Sequence, residues 1–443
     1  MSSPESIRGR IQGQGATQIA ASIETGVREG ACHPGDPLPS VRALAAELGV
    51  SPATVGAAYR ILRERGLIVT RGRSGTTVSL GPPLPTRGPV HVSAGVRNLA
   101  DGNPDPALLP SLDSALAQLD PAPHLYGAEP NLPALLETAR HQLSVDGIAN
   151  DALTVVGGAM EAFERLLTAY LNRGHHIAVE DPGHANLIDL AGALDLRVEP
   201  MRVDDEGPRP EELLKALQRG ARAVAITPRA QNPTGAAVTH QRATELAAIL
   251  RRFPDTLVIE DDHSGPVAGA PNHTVVAGLD RWAVVRSASK ALGPDLRLAV
   301  VAGDPTTIAR VEGRRLLGTG WVSHVLQSLA ASLWSDPRVN LLLAEAADTY
   351  TQRRTALLHE LADQDITAQG RSGLNVWIPV TEEHAPSRLL LEAGWAVSPG
   401  ERFRQDSPPA LRVTIATLTP PESEVFARDL HHALRPQRRT YQA

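Results

Sequence analysis

The chain contains two lysines, Lys215 and Lys290, against 41 arginines. Lys290 lies in Arg286-Ser287-Ala288-Ser289-Lys290-Ala291-Leu292-Gly293-Pro294, with Arg297 close behind. Arginine cannot replace lysine where an amine must lose its proton and attack a carbonyl, because the guanidinium stays protonated. A composition that has exchanged nearly every lysine for arginine and kept this one marks Lys290 as a Schiff-base lysine. The aldehyde of pyridoxal 5'-phosphate (PLP) is the natural electrophile.

Residues of matching chemistry are spaced along the chain in turn-like segments. Val156-Gly157-Gly158-Ala159-Met160-Glu161 reads as a glycine turn opening a helix, where N–H groups and the helix dipole can hold a phosphate. Glu180-Asp181-Pro182-Gly183-His184 brings a ring side chain, Gln231-Asn232-Pro233-Thr234-Gly235 an amide, and Ile259-Glu260-Asp261-Asp262-His263 a carboxylate. PLP needs these types. A carboxylate keeps the pyridine nitrogen protonated, a donor tunes the phenolic oxygen, a flat ring stacks on the cofactor, and Ser and Arg neutralise the phosphate.

The elements that must position these residues are also legible. Apolar runs such as Ile177–Val179, Ala223–Ile226, Leu257–Ile259 and Ala283–Val285 alternate with helical segments from Asp101 onward. That alternation predicts an α/β domain with a mainly parallel, buried central sheet and a ligand site at the loops beyond the strand ends.

The N-terminal part has a different pattern. Ile19, Ile23 and Val27 line one face of a helix over Gln18–Arg28. Ser40 is placed to cap a second helix that stops at Gly49, and Ser51 to cap a third, with Pro52 at its first position and Val55, Tyr59 and Leu62 inward. Two short helices joined at Gly49-Val50 make a helix-turn-helix. Ile68-Val69-Thr70 and Thr76-Thr77-Val78 read as a hairpin around a basic, glycine-rich tip. Ser79 to Asn98 is rich in proline and glycine and keeps no helical or strand period, which predicts a linker. The organisation expected is a DNA-binding module over residues 1–80, a linker over 81–98 and an effector domain over 99–443.

Composition agrees with two or three domains rather than one core: 443 residues, 42% hydrophobic and 21% charged. A single cysteine excludes an internal disulfide framework and a cysteine-based zinc site, and no metal is expected. No apolar run reaches membrane-span length and the first residues do not read as a signal peptide, so a cytoplasmic protein without membrane contact is expected. Residues 1–80 carry nine Arg and six Asp/Glu in a chain of net charge −6, a basic module on an acidic body.

The first module resembles the GntR-type winged helix-turn-helix, through Leu38-Pro39-Ser40-Val41-Arg42, Leu44-Ala45, Leu48-Gly49-Val50-Ser51, Thr54-Val55, Ala58-Tyr59, Gly66-Leu67 and Arg73-Ser74-Gly75-Thr76. The resemblance puts Arg42, Ser51, Thr54 and the wing residues Arg71 and Arg73 at the DNA. From about residue 100 to 435 the chain resembles the fold type I, aspartate-aminotransferase-like enzymes. By that resemblance Gly158 and Ala159 hold the PLP phosphate, with Ser287, Ser289 and Arg297. His184 stacks on the ring, Asn232 bonds its phenolic oxygen, Asp261 pairs with the pyridinium and Lys290 forms the aldimine. Arg412 clamps a substrate carboxylate, and Tyr126 reaches the phosphate of the neighbouring subunit. His184 stands where the family usually has an aromatic ring and His263 where it usually has tyrosine; Gly157 replaces a frequent Ser or Thr. Asn186 and His324 are further candidates to shape the pocket.

The combination resembles the MocR family of bacterial regulators. It implies a homodimer bound to a double-stranded operator, with an amino compound or PLP itself as effector. The other implied reading is a working aminotransferase with an ancillary DNA module.

Overall fold

The computed structural model describes residues 11–28, 32–33, 35–64, 67–70, 75–79, 92–93, 95–120 and 122–435. The chain divides into two compact units, one containing residues 1–88 and the other most of the remainder.

In the small unit, helices Ala16–Arg28, Val41–Leu48 and Pro52–Glu64 precede an antiparallel hairpin of β1 (Ile68–Thr70) and β2 (Thr76–Val78). Local chemistry sets each helix boundary. The Ser40 hydroxyl accepts the Ala43 N–H at 3.2 Å, and Gly49 ends that helix in the left-handed region at φ 66°. The Ser51 hydroxyl accepts the Thr54 N–H at 3.1 Å. Ile19, Ile23, Leu44, Val55 and Leu62 are buried against one another, so the three helices share one core. The Tyr59 hydroxyl donates to Pro39 O at 2.6 Å, tying the third helix to the turn before the second. The expected wing tip, including Arg71 and Arg73, lies outside the described residues, as does most of the expected linker.

The large unit begins with a two-residue strand, β3 (Arg97–Asn98). Its sheet comprises β4 (Ala152–Val156), β5 (His176–Asp181), β6 (Arg197–Asp204), β7 (Gly207–Pro208), β8 (Ala221–Ile226), β9 (Leu257–Asp262), β10 (Trp282–Ser287) and β11 (Ala299–Gly303). Their order is β4-β11-β10-β9-β8-β5-β6-β7. Strands β10, β9, β8, β5 and β6 run parallel; β11 is antiparallel to both neighbours, and β7 is antiparallel to β6. β12 (Asn375–Pro379), β15 (Ala410–Thr414) and β14 (Ser398–Pro399) form a separate antiparallel sheet, while β13 (Trp395–Ala396) pairs with β3. The sequence assigned Arg97 and Asn98 to the linker; they instead form the first strand of the large unit. A two-rung pairing has no periodicity for a sequence to display.

Strand β9 carries the main electrostatic feature of the sheet. All six of its residues are buried, including three consecutive carboxylates, Glu260, Asp261 and Asp262. Side chains alternate along a strand, so Glu260 and Asp262 point to one face and Asp261 to the other. The register sets Asp262 beside Arg286 of β10. Asp262 accepts from Arg229 at 2.8 and 2.9 Å and from Arg286 at 2.9 Å, and both arginines also reach Asp146. Burial pushes the Asp262 carboxyl up, but the two guanidinium groups outweigh it and hold it far below the usual carboxylate range. Glu260 accepts from Thr274 and Val275 and fastens the loop that precedes β10. Asp262→Ala would leave buried guanidinium groups short of an anion and should cost about 3–5 kcal/mol. A denaturation midpoint for the large unit equal to that of the unaltered protein would refute this account.

Candidate functional site

Asp261 is left on the other face of β9 with different surroundings. It is 6% exposed, and its Oδ1 is buried without a hydrogen-bond partner among the described residues. Its Oδ2 lies 3.7 Å from His263 Nδ1. Burial, then the charges of Asp262 and Glu180, push its carboxyl up to about 7. An orphaned buried acceptor is expensive unless something outside the protein satisfies it.

Lys290 sits in the turn after β10, the next strand. Its Nζ donates to Gly102 O at 2.7 Å. Burial, then the nearby charge of Arg412, lower its amine to about 8 against the opposing pull of Asp101. A lysine so shifted is neutral more often than a free lysine, as a nucleophile requires. His263 feels Lys290 and His184 as neighbouring positive charges, and burial ahead of both lowers it to about 3, so the imidazole is neutral. His184 precedes the helix Ala185–Ala193 at the end of the turn that follows β5. Asp181 anchors that turn by accepting the Gln405 and Asp406 N–H groups at 2.8 and 2.9 Å.

Arg412 projects from β15. Its Nη1 donates to Asn232 Oδ1 at 3.1 Å, its Nη2 to Ala100 O, and its guanidinium lies 4.7 Å over the Phe403 ring. Its Nε is buried without a partner among the described residues. Burial first, then Arg402, lower it to about 10 against the pull of Asp101, so it stays cationic at neutral pH. Asn232 is held by the turn around Gln231, whose Nε2 donates to Glu180 Oε2 at 3.1 Å and Pro182 O at 2.8 Å.

The second cluster is the glycine turn. β10, β11 and β4 are aligned so that Ser287 pairs with Ala299 and Ala299 with Val156. That register brings Ser287, Arg297 and Gly158 to the same edge. Ser287 and Ser289 share a hydroxyl hydrogen bond at 3.0 Å. Gly158 has φ 106°, which favours glycine, and the Arg297 guanidinium lies in contact range, 3.4 Å from where a methyl group would stand. Ala159 begins the helix Ala159–Tyr170, leaving its first N–H groups without intrahelical partners. Arg297 is itself left-handed at φ 44°, an uncommon conformation for a residue other than glycine and one concentrated at functional sites.

The structure thus brings Lys290, Asp261, His263, His184, Asn232 and Arg412 into one neighbourhood, and Gly158, Ala159, Ser287, Ser289 and Arg297 to the sheet edge beside it. It does not join Tyr126 to either group. That ring is 93% exposed and meets Trp321 edge-on at 5.4 Å. His324 is stacked on His124 and bonded to Glu129 O, and Asn186 is exposed. Arg42 and Ser51 are exposed on the small unit, with the Ser51 and Thr54 hydroxyls 2.8 Å apart at a helix start. Sequence reasoning missed Phe403 beneath Arg412 and the carbonyls of Ala100 and Gly102 on the two site cations. No sequence motif marks a backbone carbonyl as a ligand.

Comparison with known proteins places this geometry. Residues 94–430 match the family described as aminotransferase class I and II, and residues 16–78 match bacterial regulatory proteins of the gntR family. The vitamin B6 salvage pathway transcriptional repressor PtsJ of Salmonella typhimurium is 40% identical over 430 residues, covering 96% of this chain and 99% of that protein. The chain belongs to the gntR-type regulators that carry a class I and II aminotransferase domain. The pyridoxine biosynthesis transcriptional regulator PdxR of Corynebacterium glutamicum is 29% identical over 78% of this chain and 79% of its own length. Among solved structures, the kynurenine aminotransferase of Pyrococcus horikoshii superposes with a TM-score of 0.71 at 21% identity, over 77% of this chain and 91% of that one. That likeness shows the fold, an α/β aminotransferase-type domain.

PLP is the cofactor this gntR-type regulator's second domain is built to take. Three features of its own residues fit the group. A buried acceptor, Asp261 Oδ1, lacks a donor; a glycine cradle faces a guanidinium; and the amine of Lys290 is lowered toward neutrality. Without cofactor, the raised Asp261 carboxyl keeps its proton up to about pH 7, while the unfolded chain releases it near 3.8. The stability it contributes is present at low pH and lost as pH rises through 7. Asp261→Asn should therefore raise the melting temperature of cofactor-free protein more at pH 8 than at pH 5, while weakening PLP binding. Equal shifts at both pH values would contradict it.

Proposed function

We propose that the protein is a sequence-specific, DNA-binding transcriptional regulator that takes PLP at Lys290 and reports PLP, or an amino compound carried on it, to its DNA module. The observation that carries this reading is one chain holding both a gntR-family module and a pocket where His263 lies 3.7 Å from Asp261 and feels the charge of Lys290, with Asp261 Oδ1 buried and unpartnered among the described residues. Two relatives with names tied to vitamin B6, one matched almost end to end, support PLP as the signal.

Bound PLP supplies an aldehyde that takes a primary amine and a ring that withdraws electrons. The chain supplies the rest. Lys290 offers its amine, and Asp261 Oδ1 holds the proton of the ring nitrogen. Gly158, Ala159, Ser287, Ser289 and Arg297 neutralise the phosphate. His184 would stack on the ring, and Asn232 with neutral His263 would flank its phenolic oxygen. We assign Tyr126, exposed here, to the phosphate site of the second subunit of a homodimer. As in the MocR family, that dimer would present two DNA modules to two operator half-sites in the cytoplasm. Arg42, Ser51 and Thr54, with Arg71 and Arg73 on the wing, would contact the operator. No helix among the described residues is long and apolar enough to cross a membrane.

One observation favours an amino compound over PLP alone: the buried, unpartnered Nε of Arg412, which a carboxylate would satisfy. Repeated turnover with a keto-acid acceptor would favour the aminotransferase reading.

The deciding experiment is absorption spectroscopy of the purified protein with PLP, before and after borohydride, alongside operator binding. A visible band lost on reduction and absent in Lys290→Ala is expected, with PLP shifting operator affinity in the unaltered protein only. A colourless protein that stays colourless with added PLP would overturn the reading. Arg42→Ala should weaken binding to all sequences and lower the slope of log K against log salt by about one. An unchanged slope removes Arg42 from the phosphate contacts.

A further inference from the structure

We propose that residues 99–103 are an internal strap that occupies both cations of the pocket, and that a ligand at Lys290 releases it and so passes the signal to the linker. The inference rests on the reading that PLP is taken at Lys290.

The strap holds itself in shape and is anchored at its upstream end. Asn98 Oδ1 accepts the Ala100 N–H at 3.0 Å and Asp101 Oδ1 accepts the Asn103 N–H at 2.9 Å, two turns of the kind short Asn and Asp side chains make. Upstream, the Arg97 and Leu99 N–H groups donate to Gly394 O and Ala396 O, both at 2.8 Å, and Leu99 O accepts from Thr414 at 2.8 Å. Beyond these anchors, Ala100 O takes Nη2 of Arg412 and Gly102 O takes Nζ of Lys290. Gly102 has φ 72°, and a methyl group there would come within 3.4 Å of Arg412 Nη2. The strap therefore lies in contact with the guanidinium, and it is the left-handed backbone at Gly102 that strains any other residue there. Asp101, between the two carbonyls, acts on both cations as a nearby negative charge.

Occupancy of the pocket and this arrangement compete for the same donors. A protonated lysine has three N–H donors; once its nitrogen is bonded to an aldehyde carbon, at most one remains. Gly102 O then loses its partner. A carboxylate on Arg412 makes a charge-assisted bond that outcompetes the neutral Ala100 carbonyl. PLP alone frees the Gly102 end of the strap; an amino compound that takes the aldehyde carbon from Lys290 returns that amine to Gly102 O, and its carboxylate frees the Ala100 end instead. A ligand shifts a conformational equilibrium only through contacts that differ between states. The strap supplies such contacts, in residues that directly follow β3, the first strand after the linker.

The test is hydrogen exchange across residues 95–103 of the full-length protein, with and without PLP, with binding verified by absorption. We expect exchange at Arg97, Leu99 and Asn103 to rise roughly tenfold with PLP, within the range of ordinary coupling factors. Gly102→Ala should still take up PLP, but its operator affinity should already match that of the PLP-bound protein and no longer respond. Unchanged exchange in PLP-loaded protein, or a Gly102→Ala variant that responds as the unaltered protein does, would overturn the strap. If no PLP is taken up, the reading of Lys290 fails instead. Exchange in cofactor-free Lys290→Ala then decides the strap: faster exchange supports it and unchanged exchange overturns it.

Discussion

Strand β9 has to bury three adjacent carboxylates, and how it does so organises the rest of the site. Alternation divides them between two faces. On one face Asp262 meets Arg229 and Arg286, and Glu260 is absorbed by the loop around Thr274 and Val275. Those partners make the burial of charge tolerable, since an uncompensated buried ion costs several kcal/mol. On the other face Asp261 is left without equivalent compensation, and the unbroken parallel sheet around it prevents the strand from relaxing to expose it. One face thus stabilises the fold while the other stores an unsatisfied acceptor that a ligand can answer.

The remaining parts of the pocket follow from strand register. Parallel strands of matching length end together, so the turns after β5, β9 and β10 bring His184, His263 and Lys290 close enough to act on one another electrostatically. The antiparallel intruder β11 carries Arg297 back to the same edge from the opposite direction, next to the glycine turn that follows β4. The small antiparallel sheet contributes Arg412, and the segment after the linker contributes carbonyls. Seven stretches of chain converge because each adjoins a strand whose place the sheets fix.

How much of this was legible depended on whether the signal was local. Ser40, Gly49 and Ser51 cap helices through bonds to residues three or four positions away, so the module was readable at that range. The apolar runs ending in Asp261 and Ser287 likewise announced buried strands, and the isolated Lys290 announced its chemistry by residue type. The strand at Arg97–Asn98 was read as linker because its two rungs depend on a partner almost 300 residues later. Phe403 beneath Arg412, and the Ala100 and Gly102 carbonyls on Arg412 and Lys290, carried no signal for the same reason. His324, named as a candidate to shape the pocket, is bonded to Glu129 O.

By itself the sequence determined the chemical types available: one lysine fit to be a nucleophile, carboxylates at a strand end, a glycine turn before a helix, and a helix-turn-helix with its caps. Those are properties of residue identity and of hydrogen bonds a few residues long. Only the tertiary structure decided which of the three β9 carboxylates stays unpaired, which guanidinium groups are spent inside the fold, and which backbone oxygens lie on Lys290 and Arg412. The physical reason is that pairing a charge depends on what other strands bring within about 3 Å of it. That distance is set by register and packing between elements far apart in the chain.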